Sequence, residues 1–345
     1  MKILLIYANR YFLESPIYPF GLNLIADYLE NQGHEVHIDI PFIHHRDISK
    51  GMEIILKDFK PDIAGISIRN IDTAMACEKF GTWQRPGINT HFFLPDAEET
   101  VAAIKKQLPE IPVIAGGSGF SVSPKAIMKQ IKADFGITGD GAGTMANFIQ
   151  SFQETEKLEQ IPNLLMRKKD GQIKENKKAF CTDLNINPIK RDKSFDHCFT
   201  INGMPVQIKH GCSMDCSYCV EPFITKKKIV HRKKENIIQE LEAVAEKYPD
   251  LSEIFFVDTE FNIPTPDFSL ALLKDIIKSK LNQRFRFSSQ FLPLNFTKEY
   301  AELIFEAGFY VILTCDSFSD KILKKNNCPY REKDIKKTLS FFEKQ

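Results

Sequence analysis

The chain has 345 residues, 43% of them hydrophobic and 26% charged, with a formal net charge of +1. That length suits two domains rather than one, and the near-neutral balance argues against a dedicated nucleic-acid binder. No stretch approaches the ~18 apolar residues of a membrane span. The opening MKILLIYANRYF has neither the long apolar core nor the small-residue cleavage site of a signal peptide. A cytoplasmic protein is expected, in which thiols stay reduced and clustered cysteines favour a metal over a disulfide.

Residues 1–152 alternate short apolar runs with helical patterns. ILLIYA (3–8), VHIDI (36–40), IAGISI (63–68), VIAGG (113–117) and FGITG (135–139) read as buried parallel strands. Between them, 21–33 and 95–108 read as helices. The first carries Leu22, Ile25, Ala26 and Leu29 on one face; the second has acids first and lysines last, matching the helix dipole. The pattern is α/β and predicts a flavodoxin-like doubly wound sheet, with ligands beyond the carboxyl ends of its strands. At those ends stand Ser67, Arg69 and Asn70, then Gly116, Gly117, Ser118 and Gly119, then Gly139. Tight strand-to-helix turns without a ligand would also use such glycines.

Residues 153–200 change character. A lysine-rich hairpin around Asp170-Gly171, expected as a type I′ turn, leads into an aperiodic stretch. The segment is expected to connect two domains. From 201 to 345 strand and helix alternate again: strands at 204–212, 252–262, 284–292 and 309–318, with helices at 235–248, 267–280, 297–306 and over the last residues. Four βα units predict a parallel barrel, with functional residues at the strand ends. The basic run 226–234 reads as a solvated face.

The loop HGCSMDCSYCV at 210–220 closes the first of these strands. Its Cys212, Cys216 and Cys219 cannot by themselves complete a tetrahedral zinc site or ligate all the irons of a [4Fe–4S] cluster. His210, two residues earlier, is the natural fourth zinc ligand; a cluster with one iron left open is the other reading. The spacing CxxxCxΦC, with Tyr218 as the aromatic Φ, resembles the signature of radical S-adenosylmethionine (SAM) enzymes. That resemblance implies a [4Fe–4S] cluster whose fourth iron is chelated by SAM, and reductive cleavage of the sulfonium. It also implies an electron donor such as flavodoxin or ferredoxin. By the same resemblance, Asp258, Glu260 and Asn262 are expected to contact SAM, as are Ser288, Gln290 and Asp316 on later strand ends.

A doubly wound domain before such a barrel resembles the cobalamin-binding subfamily, whose matching residues here are Ser67 and Gly116-Gly117. The subfamily's DxHxxG motif is absent, since YANRYFLESPIYPFG has no histidine. No protein histidine is therefore expected below the cobalt, and the loop carrying Arg69 and Asn70 is expected to face that side. An arginine has no lone pair to donate. Barrels of the family usually have six βα units, so this one is expected to be incomplete at its C-terminal end. The resemblance implies a cobalamin-dependent methyltransferase acting on an unactivated centre of a small molecule or peptide. The alternative is an accessory or sensor protein that binds cobalamin or the cluster without turnover.

Overall fold

The computed structural model describes residues 1–8, 18–41, 47–72, 92–180, 195, 198 and 203–343. Most of the aperiodic stretch before residue 203 lies outside them. The chain divides into two compact units, Met1–Glu14 with Pro19–Cys181, and Ser15–Tyr18 with Thr182–Gln345.

In the first unit, β1 (Lys2–Tyr7), β2 (Glu35–Asp39), β3 (Ile63–Ser67), β4 (Val113–Gly116) and β5 (Phe135–Ile137) run parallel in the order β2-β1-β3-β4-β5. The central strands are apolar without alternation because both faces are covered: Ile3, Leu4, Ile6, Ile63 and Ala64 are fully buried. Each strand pair spans a crossover helix. Ile48–Phe59 starts where the Asp47 side chain accepts from the Lys50 amide at 3.0 Å, and stops at Lys60 in the left-handed region. The order reverses between β1 and β3, which opens a crevice beyond their carboxyl ends.

The lysine-rich hairpin is part of this sheet, not of a free connection. Its strands β6 (Leu164–Arg167) and β7 (Ile173–Glu175) add antiparallel to β5. Leu164 and Leu165 are fully buried, so apolar burial holds the hairpin in place. Its turn is also different from the expected two-residue type. The loop closes through Lys168 N to Gln172 O at 2.8 Å, and only Gly171 takes a positive φ, of 83°. That is the three-residue form ending in a left-handed glycine.

In the second unit the expected strand 204–212 is broken in two, β8 (Met204–Val206) and β9 (Lys209–His210). β9 leaves the sheet to pair antiparallel with β10 (Val230–His231). The sheet itself is four parallel strands in the order β13-β12-β11-β8, with β11 at Glu253–Phe256, β12 at Arg286–Phe291 and β13 at Phe309–Leu313. One face is a phenylalanine layer: the Phe256, Phe287 and Phe309 rings stack with centroids 5.2–5.7 Å apart. Phe296 extends that layer from Phe291 to Tyr300 and Phe342 on two helices.

The basic run 226–234 is only partly solvated. Arg232 is 2% exposed, with its Nη2 2.7 Å from Glu240 Oε2, itself 1% exposed; the approach is a charge contact without aligned hydrogen-bond geometry. Arg232 Nη1 also donates to Gln207 O at 2.8 Å, so this ion pair ties the helix Lys234–Lys247 to the segment feeding the cysteine loop. Removing one partner leaves a buried charge unmatched. Glu240→Ala should therefore destabilise the second unit by about 3–5 kcal/mol in chemical denaturation, and adding Arg232→Met should recover most of that loss.

Candidate functional site

The cysteine loop leaves β9 through Gly211, whose φ is 93°. A Cβ there would lie 2.0 Å from the Lys228 carbonyl oxygen, so only glycine fits before Cys212. Cys212 is buried, Cys216 half-buried and Cys219 exposed, so the three thiols climb from the interior to the surface. Burial pushes the Cys212 and Cys216 thiols above their ordinary range. The loop is pinned from outside: Ser217 N donates to Asn326 O and Ser217 Oγ to Asn326 Oδ1, both at 3.0 Å. Among the described residues, no three His, Cys, Asp or Glu side chains converge on a site for one metal ion. A four-iron cluster binds each thiolate on a separate iron, so its ligands need not converge on one point. The donor set, three thiols on one loop with an exposed edge, fits such a cluster.

Behind the loop lies a residue that the sequence reading did not single out. Lys209 is 1% exposed, and its Nζ donates to Thr259 Oγ1 at 3.2 Å. Thr259 Oγ1 in turn donates to Gly211 O at 3.2 Å. Burial pushes the ammonium pKa down, and the charges of Asp258, Cys212 and Glu260 push it back up. A lysine within an otherwise buried strand was the available signal. Glu260 completes the group. Thr314 hydrogen-bonds it, yet its buried Oε2 has no hydrogen-bond partner. Burial pushes its carboxyl up to about 7. An unpartnered buried carboxylate oxygen beside an ammonium suits a ligand carrying both a cationic and an anionic group.

Three of the residues expected to contact SAM are committed elsewhere. Asp258, 6% exposed, accepts from the backbone N–H of Ile208 at 3.0 Å and of Lys209 at 2.7 Å. Asn262 donates to Leu292 O and Leu294 O, both at 2.9 Å, and accepts from Leu292 N at 3.1 Å. Asp316 accepts from the Tyr218 hydroxyl at 2.6 Å on one oxygen and from the Tyr330 hydroxyl at 2.5 Å on the other. Each is a brace between strand ends, because a buried polar group takes the nearest backbone or hydroxyl partner. Ser288 and Gln290 share the less buried face of β12, opposite Ser289, which is fully buried and bonds Phe256 O at 3.3 Å. Tyr218 is 58% exposed, and its hydroxyl serves the Asp316 brace.

In the first unit, Ser67 and Gly116 are register partners at the ends of β3 and β4. The next glycines are small for the chain itself. A Cβ on Gly117, at φ 104°, would lie 2.5 Å from Ile68 O, and one on Gly119 would lie 2.9 Å from Arg69 O. Gly119 N and Ser118 Oγ both donate to that Arg69 carbonyl at 2.8 Å. So Gly117, Ser118 and Gly119 pack the β4 loop on the β3 loop, a role the expected ligand contact does not require. Gly116 and Gly139 differ: a Cβ on Gly116 meets nothing closer than Ile137 O at 3.6 Å, and one on Gly139 meets nothing within 4 Å. A side chain at Gly116 would enter open space next to Ser67, whereas Gly139, at φ 70°, also needs glycine for its backbone; Ser67 and Asn70 are half-buried and Arg69 is exposed.

Residues 12–149 match the B12 binding domain family and residues 206–344 match the Radical SAM superfamily. The chain thus carries a B12-binding domain followed by a radical SAM domain. It is 23% identical, over an alignment 370 positions long, to the tryptophan 2-C-methyltransferase of Streptomyces laurentii, covering 89% of this chain and 58% of that protein. Among solved structures it is similar to the radical SAM methyltransferase TsrM from Kitasatospora setae with tryptophan and a SAM analogue bound. That match has a TM-score of 0.85 and 22% identity, over 99% of this chain and 65% of that one. The cobalamin-dependent radical enzyme OxsB follows at a TM-score of 0.77 and 16% identity, over 99% of this chain and 47% of that one. The chain thus spans about three fifths of the tryptophan methyltransferase and about two thirds of TsrM.

Two expectations follow for the B12-binding and radical SAM domains. Gly117→Val should unfold the B12-binding domain, lowering its thermal midpoint, because the clash is with backbone. Gly116→Val should keep the fold and weaken cobalamin binding by roughly 5- to 150-fold in a titration, the equivalent of about 1–3 kcal/mol of overpacking. For Glu260, the folded carboxyl holds its proton from its ordinary value of 4.5 up to about 7. The folded state therefore binds more protons than the unfolded one in that window, so its contribution to stability falls as pH rises. Denaturation of the metal-free protein at pH 5 and pH 8 should show this loss, and Glu260→Gln should remove it.

Proposed function

We propose that this protein is a cobalamin-dependent radical SAM methyltransferase that acts on an unactivated centre of a small molecule or peptide. The observation that carries the reading is the pairing, beyond the same strand ends, of a three-cysteine loop with the open Glu260 oxygen and the Lys209 ammonium. The relatives' known chemistry supports it, as does the B12-binding domain on the same chain. When bound, the [4Fe–4S] cluster and cobalamin supply one-electron chemistry and a methyl carrier, with SAM as the methyl source.

The chain's own residues hold and orient these groups. Cys212, Cys216 and Cys219 offer three thiolates and leave one iron for an outside ligand. Glu260 accepts from the methionine ammonium of SAM through its free oxygen, and Lys209 draws the carboxylate of the same group. Ser288 and Gln290, on the open face of β12, are placed for the ribose. Asp258, Asn262 and Asp316 keep those strand ends in register. In the B12-binding domain, Gly116, Gly139 and Ser67 would leave room for the nucleotide tail of cobalamin, and the loop with Arg69 and Asn70 would offer the cobalt no histidine. Reducing equivalents come from a flavodoxin or ferredoxin in the reducing cytoplasm. Tryptophan, bound in the Kitasatospora TsrM structure, is the first substrate to test.

Anaerobic reconstitution should load about four irons and four sulfides per chain, and replacing the three loop cysteines with alanine should abolish this. Bound cob(II)alamin should show no nitrogen superhyperfine splitting in its EPR spectrum, because arginine offers cobalt no lone pair. Stoichiometric zinc in place of iron would reject the reading. Cluster and cobalamin binding without any turnover of SAM would favour the accessory protein instead.

A further inference from the structure

In the B12-binding domain one side chain joins the loop after β5 to the loop after β4. The ladder between these strands pairs Ile114 with Phe135 and Ala115 with Gly136, and β5 ends at Ile137. There the Thr138 amide turns away from β4 and donates to Asn163 O at 3.1 Å. The next amide, of Gly139, returns to the β4 side and donates to Ser121 Oγ at 3.0 Å. Ser121 lies in the short helix Ser118–Val122, and its hydroxyl gives its own proton to Gly117 O at 2.9 Å. Being 3% exposed, this hydroxyl serves the chain rather than a ligand: its proton holds one loop and a lone pair holds the other. A Cβ on Gly139 would meet nothing within 4 Å, so no close neighbour stands on that side of the residue, and the bond on its amide is what sets it. The amino ends of the same two strands are tied separately. Asp134, just before β5, accepts from the Val113 amide at 2.8 Å and pairs with Lys105 Nζ at 2.7 Å.

We propose that Ser121 is a positioning residue for cobalamin. Its hydroxyl holds the Gly139 loop against the Gly116-Gly117 loop, so that the space for the nucleotide tail is formed before the ligand arrives. The inference rests on the proposed role of Gly116 and Gly139 in that space. Removing the hydroxyl frees the Gly139 amide, and the loop must then be ordered again each time the ligand binds. Ordering the backbone of one residue corresponds to about a tenfold loss of affinity. Asp134 ties the same two strands at the end remote from the crevice, so its loss weakens the fold without touching the ligand.

The test compares the wild-type chain with Ser121→Ala and Asp134→Ala, each titrated calorimetrically with hydroxocobalamin. Ser121→Ala should weaken binding about tenfold. In the ligand-free protein, hydrogen–deuterium exchange around Gly139 should speed up in the same variant. Asp134→Ala should lower the thermal midpoint, since the Val113 amide and Lys105 lose their acceptor, yet keep wild-type affinity and wild-type exchange at Gly139. If Ser121 acted through stability alone, affinity would fall with the thermal midpoint in both variants, and that result would overturn the proposal. So would wild-type affinity in folded Ser121→Ala, or unchanged exchange at Gly139. Should Ser121→Ala fail to fold, Ser121→Cys replaces it; its sulfur is a weaker acceptor, so the same two readouts should shift in the same direction. Wild-type protein that binds no cobalamin would reject the cobalamin reading and this proposal with it, whereas binding that is equal in wild type and Ser121→Ala rejects the proposal alone.

Discussion

The site around the cysteine loop depends on one buried carboxylate. Asp258, at the end of β11, accepts the backbone N–H groups of Ile208 and Lys209 just where the chain leaves the sheet. Without it, two amide donors would be buried unpaired at the break between β8 and β9, at a cost of about 1–3 kcal/mol each. With it, β9 turns aside to pair with β10, and Lys209 is buried beside Thr259 and Glu260. The cysteine loop then begins from a position set by strand geometry. Burial opposes the ionised form of Asp258, and the two amides and the neighbouring Lys209 and Arg232 charges favour it.

Around that anchor the strand ends are tied by side chains that look functional in isolation. Asn262 closes three bonds with the end of β12, and Asp316 gathers two tyrosine hydroxyls and the Cys328 thiol. Such braces hold a site by fixing its frame, and they leave ligand contact to the groups that remain unsatisfied, here Glu260. The B12-binding domain is organised on the same logic with backbone in place of side chains. Gly117 and Gly119 let the β4 loop lie against the β3 loop, and that packing presents Gly116 and Ser67 at the crevice.

The doubly wound sheet was legible because both of its faces are buried, so its strands are short apolar runs separated by amphipathic helices. The cysteine loop was legible because three thiols at CxxxCxxC spacing are locally encoded. The hairpin at 164–175 was misjudged: its lysines suggested a linker, whereas fully buried Leu164 and Leu165 bind it to β5. The basic run 226–234 departs from a solvated face only at Arg232, which finds Glu240 only after the helix Lys234–Lys247 folds back.

By itself the sequence determined the order of elements, the fold class of both domains and the three thiols, all of which follow from local periodicity and spacing. It could not assign polar strand-end residues to ligand or frame. Asp258, Asn262, Asp316 and Glu260 are alike in sequence, polar groups where strands stop. Only the tertiary structure separates them, because hydrogen-bond satisfaction depends on which distant backbone groups arrive alongside. Three found their partners across strand ends, and Glu260 kept a buried oxygen without one. Lys209 became part of the site for the same reason: burial and contact across the fold gave a charge neighbours that no local pattern encodes.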